Sequence, residues 1–331
     1  DFDIEGWDAR TQSWTVVDEI RAFDGYTFNR SYDSDIVYSG YRANFISCQP
    51  GFNPSIHALE VKEMNFTVAK RQIHIIEKNK AFFASSLGTY NFSLYEEQTV
   101  EGLFVGAGGG GGGGFAGGGG AGGGTVVVSK LVLPPGDYQI GLGTRGSGGG
   151  SYSGIRAKNT QDGTSGGATY LRDLTRSRWV VTALGGSGGD DAQETSANNY
   201  VYSSSVSGGG GTFDDTNYDM DATLLAGRNG PAGAQSVGNN GTDGTDGYTI
   251  THLRYNNQYT TNERTEVFGS SGGSGGFAGG SDGNGGENAG DAVAGNIAID
   301  LYGAGGGGSG FIGDYKPGTR GGSGYAYILF K

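Results

Sequence analysis

Two-residue alternation of apolar and polar side chains recurs along the chain and predicts short β-strands. Phe2 and Ile4, then Trp14, Val16 and Val17, flank a turn expected at Gly6-Trp7-Asp8-Ala9, and the same period runs through residues 41–46 and 57–66. Such strands, separated by turn residues, argue an antiparallel β-sandwich over residues 1–68. Residues 68–80 are the most basic stretch and read as an exposed strand or connector, so 69–87 is taken as a join. Further strands are expected at 90–94, 99–105, 125–128, 130–133, 138–143, 166–171, 179–184 and 324–330. Pro134-Pro135-Gly136-Asp137 supplies a hairpin turn between two of them. The chain as a whole reads as all-β.

One element does not fit the alternation. After Val105 come Gly106 and Ala107, seven glycines, Phe115 and Ala116, four glycines, Ala121 and three more glycines. A related block, Leu301-Tyr302-Gly303-Ala304 and four glycines, returns near the C-terminus. A solvated linker is one reading of such runs. The other is polyglycine II, a left-handed extended helix with three residues per turn. Because buried N–H and C=O groups must be paired, its strands would bond to one another in several directions. The run is broken by Phe and Ala rather than Ser, follows a strand and precedes another, so the ordered reading is preferred. Phe115, Phe277, Phe311 and the closing strand are expected to cover it. Residues 88–331 then form a glycine-rich β domain.

Composition narrows the function classes. Of 331 residues, 70 are Gly, 19 Tyr and 16 Phe, with aromatics at 11%, which argues against disorder. A net charge of −12 disfavours nucleic acid and anionic lipid as partners, and no segment is long and apolar enough to insert in a membrane. Cys48 stands alone, so no internal disulfide staples the fold. The start at Asp1-Phe2-Asp3 reads as a piece of something longer.

Four intervals, 151–165, 190–206, 212–221 and 229–266, lack a packing pattern and are rich in Tyr, Asn, Asp, Ser and Thr. That is the composition of antibody-like binding loops, in which rigid aromatic contact is combined with adaptable hydrogen bonding. Tyr152, Tyr200, Tyr202, Tyr218, Tyr248, Tyr255 and Tyr259 are the binding candidates. Ordinary surface loops are the alternative. Gly106–Gly111 satisfies Gly-x-Gly-x-x-Gly, but no helix follows, so a nucleotide site is set aside. His57, His74 and His252 are too dispersed to suggest a triad or a metal site. The acidic stretches 214–221 and 242–247 lack calcium-loop spacing. No catalytic residue, cofactor or metal is therefore expected, and the chain reads as non-enzymatic.

Two resemblances add to this reading. Phe2-Asp3-Ile4-Glu5-Gly6-Trp7-Asp8, Ser13-Trp14-Thr15-Val16-Val17-Asp18, Tyr38-Ser39-Gly40-Tyr41-Arg42 and Leu59-Glu60-Val61-Lys62-Glu63-Met64 resemble the second half of a discoidin-like jelly-roll module. That implies a partial jelly roll, with its remaining strands upstream or on a partner, serving as spacer or docking domain. From residue 88, the order of pieces resembles the glycine-rich domain at the tips of bacteriophage tail fibres and related adhesins. Those pieces are a strand into Gly-Ala-Gly-Gly, Tyr138-x-Ile140-x-Leu142-Gly143, Gly166-Gly167-Ala168-Thr169-Tyr170, Val181-Thr182-Ala183-Leu184 with its Gly-Gly-Ser-Gly-Gly, and Gly324-Tyr325-Ala326-Tyr327-Ile328. A similar domain sits in the anaplastic lymphoma kinase receptor family, which carries cysteines that this chain lacks. The tail-fibre resemblance implies a virion-borne, extracellular receptor-binding adhesin. Its partners would be a host outer-membrane protein or surface polysaccharide, and other fibre proteins or copies of itself. A structural fibre component without receptor contact is the alternative.

Overall fold

A computed structural model describes residues 2–8, 13–20, 41–45, 70–72, 81–84, 88–114, 116–150, 161–196, 199–201, 203–235, 239–256, 260–275, 283–286, 289, 302–309, 311–312, 314–315 and 317–331. Every regular element among them is a β-strand. The chain divides into two compact units, Asp1–Val68 and Ala69–Lys331.

In the first unit β1 (Phe2–Asp8) lies between β2 (Ser13–Ile20) and β3 (Tyr41–Phe45) in an antiparallel sheet. β1 runs straight through Gly6-Trp7-Asp8, where a turn was expected, because Trp7 and Asp8 pair with Trp14 and Ser13. The ladder hydrogen bonds outweigh the turn preference of Gly-x-Asp. The alternating stretch 57–66 lies outside the described residues.

The second unit begins with β4 (Lys70–Gln72) and β5 (Ala81–Ala84), so the expected connector contributes an edge strand to each of two sheets. β6 (Thr89–Leu94), β7 (Gln98–Val105), β8 (Thr125–Leu133), β9 (Gly136–Gly141), β10 (Thr169–Asp173) and β11 (Arg178–Ala183) follow. With β14 (Gly211–Phe213), β15 (Met220–Leu225) and β20 (Tyr325–Phe330) they build a sandwich. One sheet has the order β14-β11-β10-β9-β6-β4 and the other β15-β8-β7-β20-β5. Between them lie Phe92, Leu94, Tyr138, Ile140, Leu171 and Val181 from the first, against Val100, Phe104, Val126, Leu131, Leu133 and Ile328 from the second. Alternation explains the faces: β6 and β10 turn every second side chain into this core.

Two bulges adjust that alternation. Val100 pairs with Leu131 and Gly102 with Val128, so Ser129 and Lys130 face the single residue Glu101. The extra residue joins the apolar phase of Val126 and Val128 to that of Leu131 and Leu133, and the two expected strands become one. In β11, Leu171 pairs with Val181 but Arg172 with Trp179, so Val180 is the added residue. Val180 and Val181 are both buried, and Trp179 is turned to the outer face.

The remaining elements are hairpins: β12 (Gln193–Ser196) with β13 (Asn199–Val201), β16 (Tyr248–Asn256) with β17 (Thr260–Phe268), and β18 (Phe311–Ile312) with β19 (Asp314–Tyr315). The β16–β17 hairpin packs its base on the outside of the second sheet, where Phe268 and Ile250 meet Leu103, Val105 and Tyr325.

Candidate binding site

Glycine-rich segments adjoin the sandwich at the ends of β7, β9, β11 and β15 and at the starts of β8, β10, β14 and β20. The segment after β7 is the centre of the array. Its N–H groups at Gly106, Gly109 and Gly112 donate to the carbonyls of Gly124, Ala121 and Gly118. Those of Ala107, Gly110 and Gly113 donate to Gly167, Thr164 and Gln161, and those of Gly108 and Gly111 to Gly322 and Thr319, all at 2.8–3.1 Å. Every third residue thus addresses the same neighbour, and each donor-side neighbour runs antiparallel. The carbonyls obey the same rule with parallel neighbours. Ala107, Gly110 and Gly113 accept from Gly186, Gly189 and Ala192, Gly108 and Gly111 from Gly146 and Gly149, and Gly109 and Gly112 from Gly306 and Ser309. A three-residue period with bonds in all lateral directions is the polyglycine II arrangement. The ordered reading of the run holds, and the linker reading does not.

Glycine is required there by close approach. A methyl group on Gly108 would collide with the Ala304 carbonyl oxygen, and one on Gly109 with that of Ser187. Where the geometry leaves room, small side chains enter: Ala107, Ala121 and Ala304 are buried in the array. Serine hydroxyls replace carbonyl acceptors at its margin. Ser274, Ser271 and Ser270 accept from the N–H groups of Thr242, Thr245 and Gly247.

The array has two ends. At the near end Gly106, Gly124, Leu184 and Gly324 adjoin sandwich strands. At the far end Gly113 accepts from Ala192, Ser309 Oγ donates to the carbonyl of Gly114, and Ser203 Oγ donates to that of Ala116. The β12–β13 and β18–β19 hairpins therefore adjoin the far end, together with Gly149 and Gln161. Asp190 binds the backbone and hydroxyl of Ser204, and Asp162 accepts from the N–H of Asp191 at 2.8 Å, which ties the bases of these connections.

The candidate tyrosines do not form one set. Tyr200 belongs to β13 at the far end, paired with Glu194, and Tyr255 to β16, paired with Thr261; only their backbones are described. Tyr152, Tyr202 and Tyr259 lie outside the described residues. Tyr248 opens β16 at the near end, with the Arg228 guanidinium 4.4 Å from its ring centre. Arg228 is itself anchored through Nε to the carbonyl of Asp246 at 2.8 Å.

Tyr218 is a correction. It is 5% exposed, and its hydroxyl donates to Asp173 at 2.8 Å. Asp173, fully buried, also accepts from the backbone and guanidinium of Arg176. Burial raises the Asp173 pKa, but the bonds from Arg176 and Tyr218 outweigh it and hold the carboxyl below its ordinary value. Burial pushes the hydroxyls of Tyr138 and Tyr218 well up, and the Asp173 charge adds to the effect. Tyr218 is a structural member of the sandwich, buried with its hydroxyl on Asp173 and not displayed on a loop.

Two of the supposed loops are also corrected. Residues 212–221 contain most of β14 and the start of β15, and residues 229–266 contain β16 and most of β17. The alternation in Tyr248-Thr249-Ile250-Thr251-His252-Leu253 was legible, but the loop-like composition around it masked it. His252 is 2% exposed, packs on the rings of Phe268 and Tyr325, and lies 3.1 Å from Glu266. Asp214 accepts from Asn217 and Asp219 from Lys130, so two carboxylates of the acidic stretch have protein partners. Among the described residues no three His, Cys, Asp or Glu side chains converge as metal ligands.

The fold and the far-end cluster define an all-β protein whose core is partly hydrogen-bonded glycine backbone. Residues 84–331 match the model of the glycine-rich domain family, and the chain belongs to that family. No curated protein matches the chain closely enough to count as a relative.

Proposed function

We propose that this protein is a receptor-binding adhesin of the kind carried at the tip of a phage tail fibre. One observation supports it most: the glycine array brings segments distant in sequence, at Gly114 and Ala116, Gly149 and Gln161, Ala192 and Ser203, and Ser309, to one end of a hydrogen-bonded lattice. A backbone lattice fixes their bases without spending side chains on packing, so the connections are free to vary. Recognition would be reversible and non-catalytic, through Tyr, Asn, Asp and Ser, of a host outer-membrane protein or surface polysaccharide. Residues 1–68 would serve as part of a discoidin-like docking module joining the tip to other fibre proteins, and several copies on one virion would add avidity.

The test is adsorption of the labelled full chain to a panel of bacterial strains. Residues 151–160 and 193–202 are replaced by Gly-Ser stretches of equal length. The variant should melt within a few degrees of the parent yet lose adsorption by about a hundredfold. Unchanged adsorption would leave a passive fibre component as the better description.

A further inference from the structure

The outer face of the six-stranded sheet carries a row of side chains unrelated to the far-end connections. Trp179 is 52% exposed on this face only because the bulge at Val180 reverses its direction; strict alternation from Val181 would have buried it. Bulges that re-aim one side chain are common beside functional sites. The Tyr170 ring meets Trp179 edge to face at 4.8 Å and lies over Gly141, where a Cβ would strike it. Its hydroxyl donates to Gln139 Oε1 at 3.1 Å, and Gln139 Nε2 donates to Asn91 Oδ1 at 3.0 Å. The row is therefore rigid and polar, with one exposed indole at its end.

Arg172 completes it. Its guanidinium sits 5.0 Å from the centre of the Trp179 ring. Its Nε is buried without a hydrogen-bond partner, so only the terminal nitrogens can meet a ligand, and no ion pair engages the guanidinium among the described residues. Its basic neighbours are already engaged, Arg176 with Asp173 and Arg178 with Asp214. The guanidinium thus stands without an acidic partner on a chain of net charge −12, and its terminal nitrogens suit a carboxylate.

We propose that this face binds an acidic saccharide. The apolar face of a pyranose would cover the exposed indole, its carboxylate would take the guanidinium, and its hydroxyls would meet the Gln139 and Asn91 amides. Nucleic acid needs a row of cations to release its counterions, and the single guanidinium of Arg172 does not supply one. An acidic peptide is the competing occupant.

The full chain is titrated with trigalacturonate, maltotriose and tetraglutamate, and binding is followed by calorimetry and tryptophan fluorescence. Trigalacturonate should bind saturably and quench fluorescence. Arg172→Gln and Trp179→Ala should each weaken it by about tenfold or more, with the melting temperature within a few degrees of the parent. Tyr170→Phe, which removes only the hydroxyl, provides a milder variant. Maltotriose should bind at least about tenfold more weakly than trigalacturonate. No saturable response to trigalacturonate, undiminished binding by Arg172→Gln, or equal binding of tetraglutamate overturns the proposal. Arg172→Gln should leave bacterial adsorption through the far-end connections intact, so the two readings fail separately.

Discussion

At the residue scale, the array places unlike demands on glycines that look identical in sequence. Gly108 sits against the Ala304 carbonyl with no flexible atom to yield, whereas nothing lies within 4 Å of the Cβ position at Gly210. Gly108→Ala should therefore cost about 3 kcal/mol through overpacking of backbone on backbone. In a domain of this size that corresponds to a fall of roughly 5–10 °C in melting temperature. Gly210→Ala should stay within about 0.5 kcal/mol of the parent. Paired thermal melts decide the matter, and equal effects would mean that the close approaches do not govern stability. Composition revealed that glycine was needed but not which glycines, because each clash involves a carbonyl from a segment far away in the chain. The burial of Tyr218 was hidden from the sequence for the same reason. Its partner Asp173 is 45 residues away, and nothing local in Asn217-Tyr218-Asp219 announces burial.

At the element scale, the unit of structure in the array is a turn of three residues. Ala121 carries a buried methyl, and it occurs where one is tolerated. One glycine inserted between Ala121 and Thr125 would move that methyl to the place of Gly120, against the carbonyl of Gly109. Three inserted glycines would instead carry it a full turn to the place of Gly118, whose nearest obstruction is the Pro231 carbonyl at 3.2 Å. The single insertion should lower stability more than the triple one in chemical denaturation, although it changes the chain less. A loss growing steadily with insert length, as in an ordinary loop, would contradict the three-residue register. The strands themselves were largely legible. Tyr90–Leu94 alternates plainly, and Leu103–Val105 and Tyr325–Phe330 are short apolar runs that each follow a glycine. The bulges at Ser129 and Val180 blurred the pattern by changing its phase within a strand.

At the scale of the whole molecule, the sandwich is closed away from the glycine array by Asp173, which joins the β10–β11 turn through Arg176 to the segment between β14 and β15 through Tyr218. Its carboxyl titrates below the unfolded value of 3.8. The stability that this ionised group contributes is present in full above that value and is lost as pH falls through the folded one. Asp173→Asn should destabilise the protein by about 2–4 kcal/mol near neutrality, since bonds to a buried charge are lost. It should also flatten the dependence of melting temperature on pH between about 5 and 2. A variant that tracks the parent through that range would show that other carboxylates set the acid limit. By itself the sequence determined the all-β class, most strands and the ordered glycine runs, since period, turn residues and the need to pair backbone groups are local properties. Only the tertiary structure decided which segments surround the central run, which connections share its far end, and that Trp179 faces outward. Those outcomes depend on hydrogen bonds and bulge registers between residues remote in sequence, and a stretch of identical glycines carries no side-chain signal of its neighbours.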